Sequence, residues 1–238
     1  MNFKDKNAIF CALDMKDTDL AVSFTKSILD YIDGVKIGME GFYSMGIDGY
    51  NRIQDLKLPI FLDLKLHDIP NTVNSAIKSL LPLEPFMLNV HVTGGTEMML
   101  SAKKAIEESI NEKPLLVGVT ILTSMNESSL KEQGLKLDIE NQVTKLAKLA
   151  LKSGLNGVVC SPHEAKKVKD ICGEEFLTVV PGIRPRIGDS QDQKRIMTPK
   201  EAVKNGADIL IIGRPLTGSK DPRSAAKEIR ISIENNGN

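Results

Sequence analysis

The sequence predicts an α/β fold, a (β/α)8 barrel of the TIM type, carried as one domain over residues 1–238. Three observations predict it. Eight short β-rich runs recur along the chain, helical stretches lie between them, and several runs are nearly unbroken apolar strings, as strands covered on both faces of a parallel sheet must be. The length agrees, because 238 residues lie close to the ~250 usual for such a barrel. An open, doubly wound sheet is the alternative, since closure of the first strand onto the last leaves no mark in sequence.

The eight runs, in order, are 8–13, 34–38, 59–66, 86–92, 115–121, 156–160, 176–180 and 208–213. AIFCAL in the first and DILIIG in the last show the continuous apolar pattern most clearly. Between runs, DTDLAVSFTKSILDYI and DIENQVTKLAKLALKSG place apolar residues three and four apart, the mark of an amphipathic crossover helix. Each opens on an Asp suited to capping, and Gly34 and Gly154 read as their stop signals. No Pro/Gly/Ser-rich linker divides the chain. The longest irregular piece runs from Gly182 to about Met197, and loops of that length in a compact domain tend to serve as lids or binding loops.

Composition narrows the function. With 41% hydrophobic and 26% charged residues the chain has the makeup of an ordinary globular protein. Lysine plus arginine equals aspartate plus glutamate at 31 each, so there is no excess positive field to hold a nucleic acid. The three cysteines, Cys11, Cys160 and Cys172, are widely spaced and form no C-x-x-C pair. That pattern suits reduced thiols in a cytoplasmic protein better than disulfides or a zinc site. The amino terminus lacks an apolar core of the signal-peptide kind, and no segment approaches the ~18 apolar residues of a membrane span.

Active sites of such barrels sit at the carboxyl ends of the strands, so the polar residues that end the runs are the candidates. Asp14 follows the first run, Lys36 lies near the end of the second, and Asp63 and Lys65 end the third. His91 ends the fourth, Thr123 and Ser124 follow the fifth, Arg184 follows the seventh in VVPGIRP, and Arg214 follows the eighth in IIGRP. In PIFLDLKLHDIP strand alternation puts Phe61, Asp63 and Lys65 on one face and Leu62, Leu64 and Leu66 on the other. The leucines can meet helices, which leaves Asp63 and Lys65 pointing into the barrel. Taken alone, D-x-K reads as a strand-end ion pair. Beside Asp14 and Lys36 on neighbouring strands, it reads as part of a charged site, because converging buried charges are costly without a use.

The turns PGIRP and IGRP follow strands seven and eight, where barrels commonly hold phosphate: glycine lets the backbone approach the anion and Arg214 offers paired donors. Weaker candidates read as structural. His67 and His163 have no neighbours at metal-ligand spacing, and His91 either lines the site or is a hydrogen-bonded structural histidine. The 9 methionines fill core gaps, and HVTGGT lacks a dinucleotide fingerprint.

At DLKLHDIPNTV (63–73) the chain resembles the orotidine 5′-phosphate decarboxylase family in its short bacterial form. The resemblance covers nearly the whole chain, through ALD at 12–14, VKIG at 35–38, VHVTGG at 90–95, LTS at 122–124, PGIRP at 181–185, DQKR at 192–195 and IGRP at 212–215. The D-x-K-x-x-D core is shared with sugar-phosphate decarboxylases and synthases; DIPNT with PGIR and DQ-x-R is more specific. The resemblance implies decarboxylation of orotidine 5′-monophosphate without metal or organic cofactor, with Asp63, Lys65 and Asp68 as the charged catalytic array and Lys65 as proton donor. It implies a homodimer in which Asp68, Ile69 and Thr72 reach the partner's site. Asp14 and Lys36 are similar to residues that hold the ribose hydroxyls, and Thr123, with Ser124 as rival, to the pyrimidine contact. Arg184, Gln193, Gly213 and Arg214 are similar to the phosphate-binding group, with Gln191 as the alternative to Gln193. The readings left beside this one are a magnesium-dependent sugar-phosphate decarboxylase or aldol-type synthase, a Schiff-base aldolase using Lys36 or Lys65, and a barrel that binds nucleotides without catalysis.

Overall fold

A computed structural model gives the fold and describes residues 7–110, 112–136, 138–185 and 195–234. The apolar runs form eight strands: β1 (Ala8–Ala12), β2 (Gly34–Gly38), β3 (Ile60–Leu66), β4 (Met87–His91), β5 (Leu115–Val119), β6 (Gly157–Val159), β7 (Leu177–Val180) and β8 (Ile209–Ile212). Each lies inside the run expected for it. All neighbouring pairs are parallel, in sequence order. Strand β1 also pairs with β8, Ala8 opposite Ile209 through Cys11 opposite Ile212, so the sheet closes into a barrel and the open-sheet alternative falls.

Helices fill the crossovers. They are α1 (Thr18–Ile28), α2 (Met39–Gln54), α3 (Pro70–Leu80), α4 (Gly95–Glu107), α5 (Glu127–Glu132), α6 (Ile139–Lys152), α7 (Ala165–Cys172), α8 (Pro199–Lys204), α9 (Arg214–Thr217) and α10 (Pro222–Glu234). The expected Asp caps are present: Asp17 accepts the Leu20 N–H at 2.8 Å and Asp138 the Asn141 N–H at 2.8 Å, each satisfying a first-turn donor that the helix leaves unbonded. Gly154, at φ 75°, stops α6 as expected. Gly34 does not stop α1. That helix tightens into a 3-10 turn over Leu29–Tyr31, and Gly34 opens β2 instead.

Gly34 is there for space. A Cβ on it would lie 2.1 Å from Cε1 of Phe10, whose ring fills the barrel interior. Alternation along the strands sorts the core into two. Ala8, Phe10, Ala12, Phe61, Met87, Val117, Val179, Ile209 and Ile211 pack inside the barrel, while Ile9, Cys11, Leu13, Val35, Ile37, Leu62 and Leu88 pack outward against the helices. Both sets are buried, which is why the runs read as continuous apolar strings.

The amino-terminal rim of the barrel is tied by polar side chains that precede strands. Asp33 accepts the Ile9 N–H at 2.8 Å, Asn156 the Leu116 N–H at 2.8 Å and Asp208 the Thr178 N–H at 2.7 Å. Lys169, its side chain 5% exposed, pairs with the half-buried Asp208 at 2.6 Å, and each charge meets the other. The rim opposite carries the candidate site. Among the described residues no helix is long and apolar enough to cross a membrane.

Because the Phe10 ring leaves no room for a methyl group, Gly34→Ala lowers the unfolding free energy by about 1–3 kcal/mol, the usual cost of overpacking a filled core. Adding Phe10→Leu recovers part of that loss. Urea denaturation of the single and double variants reads both effects, and an unchanged midpoint in Gly34→Ala contradicts the packing described.

Candidate active site

The carboxyl ends of the strands surround a cavity of about 480 Å³. Asp14, Lys36, Asp63, Lys65, Thr123, Arg184, Gly213 and Arg214, all expected from sequence, line it. Asp14 after β1 and the charged residues of β2 and β3 share the lining with the arginines after β7 and β8, and Ile121, Val159, Pro181 and Ile211 supply apolar wall.

The charges form a continuous alternating chain. Asp14 Oδ1 lies 3.3 Å from Lys36 Nζ, Lys36 Nζ lies 3.3 Å from Asp63 Oδ2, and Asp63 Oδ1 lies 2.8 Å from Lys65 Nζ. The Asp63 side chain is only 9% exposed. A carboxylate at that depth is tolerated because each oxygen faces an ammonium. Burial alone would push the Lys36 ammonium down, but Asp63 and then Asp14 outweigh it, and Lys36 stands above the ordinary lysine value. Gly38 leaves room for the chain: a Cβ there would lie 2.8 Å from Lys36 Nζ and 2.9 Å from Asp14 Oδ1.

The simple alternation expected across residues 61–66 holds only as far as Asp63. Lys65 has φ 52°, a left-handed conformation that a lysine avoids in a strand, and the pairing with β4 slips between Leu62 opposite Leu88 and Leu66 opposite Val90. Four residues of advance on β3 thus meet two on β4. Leu64 and Leu66 still pack toward the helices, and the Lys65 side chain still enters the cavity, but a bulge brings it there.

Asn89, which the sequence reading passed over, holds this bulge. Its side chain is buried, its Nδ2 donates to Asp63 Oδ1 at 2.6 Å, and its Oδ1 accepts the Lys65 N–H at 2.7 Å. One amide therefore orients the acid and satisfies the backbone donor displaced from the ladder. The signal was present: an amide at the centre of FMLNVHV, in a strand covered on both faces, has to find partners inside the barrel.

Asp68, Ile69 and Thr72 stay out of their own chain's cavity. All three are exposed at the loop before α3 and on its first turn, and the Asp68 carboxylate accepts the Ile69 N–H at 2.6 Å. Ser124 is exposed and does not line the cavity, whereas Thr123 does. Gln193 and Gln191 lie outside the described residues. The piece from Gly182 to Met197 is closed at its base, where Arg184 N–H donates to Met197 O at 3.0 Å and Met197 N–H to Gly182 O at 3.2 Å. His91 is half-buried with its ring 5.2 Å from that of His67 and outside the cavity lining. Burial, then His67 and Lys65, lower its pKa against the pull of Asp63, so the imidazole favours the neutral form. Among the described residues no three of His, Cys, Asp and Glu gather as a metal-holding group.

Comparison with known proteins agrees with this geometry. The sequence profile of the Orotidine 5'-phosphate decarboxylase / HUMPS family matches residues 7–229. The chain is 44% identical over 227 residues to an orotidine 5'-phosphate decarboxylase of Actinobacillus pleuropneumoniae serotype 5b, covering 95% of this chain and 99% of the relative. It is likewise 44% identical over 227 residues to the enzyme of that name from Wolbachia pipientis subsp. Culex pipiens, covering 95% and 99% of the two chains. The crystal structure of orotidine 5'-phosphate decarboxylase from Lactobacillus acidophilus superposes with a TM-score of 0.82 at 37% identity, covering 96% of this chain and 99% of that one.

Removing the amide that serves both Asp63 and the Lys65 backbone leaves the Lys65 N–H without its acceptor and Asp63 Oδ1 with Lys65 Nζ as its remaining donor, so Asn89→Ala costs about 1–3 kcal/mol of stability, the usual loss for one orphaned group. Chemical denaturation checks it. A midpoint equal to that of the unaltered protein would mean that other groups satisfy the bulge.

Proposed function

The chain belongs to the Orotidine 5'-phosphate decarboxylase / HUMPS family, and we propose that it converts orotidine 5′-monophosphate to uridine 5′-monophosphate with Lys65 as the proton donor. The reaction is a step of pyrimidine biosynthesis, and the enzyme is a carboxy-lyase. The observation that carries the residue assignments is the Asp14–Lys36–Asp63–Lys65 chain sharing one cavity with Arg184, Gly213 and Arg214.

Breaking the bond between ring carbon six and the carboxylate releases carbon dioxide and leaves the electron pair on that carbon. No neighbouring carbonyl delocalises the pair well, so positive charge has to be waiting beside it. The Lys65 ammonium, held by Asp63, stabilises the developing carbanion and then transfers a proton to it, which closes the atom balance and leaves a neutral amine to be reprotonated from water. Because Asp63 and Asn89 fix that charge before the substrate arrives, little reorganisation is required during the reaction.

The remaining roles are those the family resemblance implies. Asp14 and Lys36 bind the ribose hydroxyls, Thr123 contacts the pyrimidine, and Arg184, Gly213 and Arg214 hold the phosphate together with Gln193. Phosphate contacts far from the reacting carbon contribute to catalysis by fixing the substrate against the array. Asp68, Ile69 and Thr72 act across a homodimer, completing the partner's array. Their exposure supports this, Ile69 at 65% being an apolar side chain that a partner would cover. The residues form one catalytic domain, and the free thiols, Cys11 and Cys160 buried among them, fit a cytoplasmic protein. A magnesium-dependent sugar-phosphate reaction fits less well, since Lys36 already bridges both Asp14 and Asp63 where the ion would need their oxygens.

Lys65→Ala abolishes loss of orotidine 5′-monophosphate in a spectrophotometric assay, while uridine 5′-monophosphate still binds measurably by calorimetry. Retained turnover would remove Lys65 as the proton donor. Arg214→Ala lowers kcat/KM by roughly 30- to 150-fold, the ~2–3 kcal/mol of charge-assisted hydrogen bonds to one phosphate, with an unaltered circular dichroism spectrum. An Arg214→Ala enzyme of full efficiency would take the phosphate elsewhere in the cavity.

A further inference from the structure

Arg195, the last residue of the DQKR motif, has no part in the reaction as described, yet its side chain is one of the most connected at the barrel mouth. Its Nη1 lies 2.5 Å from Glu164 Oε1. Its Nη2 donates to the main-chain oxygens of Ile121, at 3.3 Å, and Leu122, at 3.1 Å. The other Glu164 oxygen accepts the Ser161 N–H at 2.9 Å. The two charged side chains are 12% and 7% exposed, so the pair is shielded from the water that weakens surface ion pairs. One planar guanidinium thereby ties three segments: the loop after β5, the loop after β6, and the end of the chain that leaves β7.

The loop after β5 bears on the ligand. Ile121, Leu122 and Thr123 line the cavity, and Arg195 grips the two carbonyls immediately before Thr123. Thr120 Oγ1 donates to Val159 O at 2.8 Å, which secures the beginning of the loop, and Met125 N–H donates to Leu122 O at 2.9 Å, a bond within the loop, so that among the bonds described Arg195 is what ties the Ile121–Leu122 stretch to other segments. Arg195 does not line the cavity, so it acts through the loop and not on the nucleotide.

We infer that Arg195, braced by Glu164, is a positioning residue that sets the cavity wall formed by Leu122 and Thr123 and so governs recognition of the pyrimidine as distinct from the ribose phosphate. The inference rests on the assignment of Thr123 to the base side of a nucleotide site. The physical requirement is a fork: one terminal nitrogen must meet the acid while the other meets two carbonyls, which a lysine, as a single point charge, does not reproduce. Glutamine at 164 keeps the shape and the acceptor for Ser161 but discards the charge that holds the guanidinium in place.

The test compares two ligands that share the sugar phosphate and differ in the base. Uridine 5′-monophosphate and ribose 5-phosphate are titrated calorimetrically into the full-length protein and into its Arg195→Lys and Glu164→Gln variants, with thermal melts to verify folding. The expected result is a roughly tenfold weaker uridine 5′-monophosphate in both variants, the equivalent of one charge-assisted hydrogen bond, with ribose 5-phosphate changed by less than about twofold. Equal weakening of both ligands would overturn the inference by placing the pair in general stability of the mouth, and so would unchanged affinity for both. Failure of both variants to fold would assign the pair to stability alone and overturn it too. If the unaltered protein bound ribose 5-phosphate but gained nothing from the base, the nucleotide reading itself would fall, and the inference with it. Loss of base selectivity in the variants alone leaves that reading intact and supports the role of Arg195.

Discussion

Asp63 is the constraint around which the mouth of the barrel is arranged. It is a carboxylate with a side chain only 9% exposed, and transfer of an isolated charge to such a place costs several kcal/mol or more unless partners meet it. Three do: the ammonium groups of Lys36 and Lys65 and the amide of Asn89. Two cations around one inner acid then call for a second acid, which Asp14 supplies to Lys36. The chain of charges is thus the way a closed barrel keeps an acid inside it, and the same arrangement leaves Lys65, with its side chain 27% exposed, facing the cavity.

Geometry at Lys65 follows from that need. In a regular strand Lys65 and Asp63 share a face, but their side chains stand side by side along it. The bulge rotates the backbone at Lys65 into the left-handed region, and the displaced N–H is taken up by Asn89. Backbone strain of this sort persists only where surrounding groups over-determine it. Here the determining group is the same amide that grips Asp63, so the strain and the orientation of the acid are coupled through one side chain.

The two rims of the barrel divide the work. At the amino-terminal rim, Asp33, Asn156 and Asp208 tie neighbouring strand starts together through backbone amides, and the buried Lys169 pairs with Asp208. At the other rim the polar side chains face a cavity, and loops that must stay open to a ligand are held by side chains from elsewhere, as Arg195 and Glu164 hold the segment before Thr123. Stability and chemistry are thereby kept on opposite ends, which lets the site carry converging charges without loosening the core.

Sequence by itself determined the strands, because a segment buried on both faces must be apolar at consecutive positions, and it determined which polar residues end them. Asp14, Lys36, Asp63, Lys65, Thr123, Arg184 and Arg214 were therefore legible as a group, and all of them line one cavity. Tertiary structure alone decided the closure of β1 onto β8, the bulge at Lys65, the service of Asn89 to two partners, and the grip of Arg195 on carbonyls 73 and 74 residues away. The reason is physical. Periodicity along the chain records which way a side chain points relative to its neighbours, whereas a hydrogen bond between distant segments depends on strand register and barrel closure, which no local pattern contains.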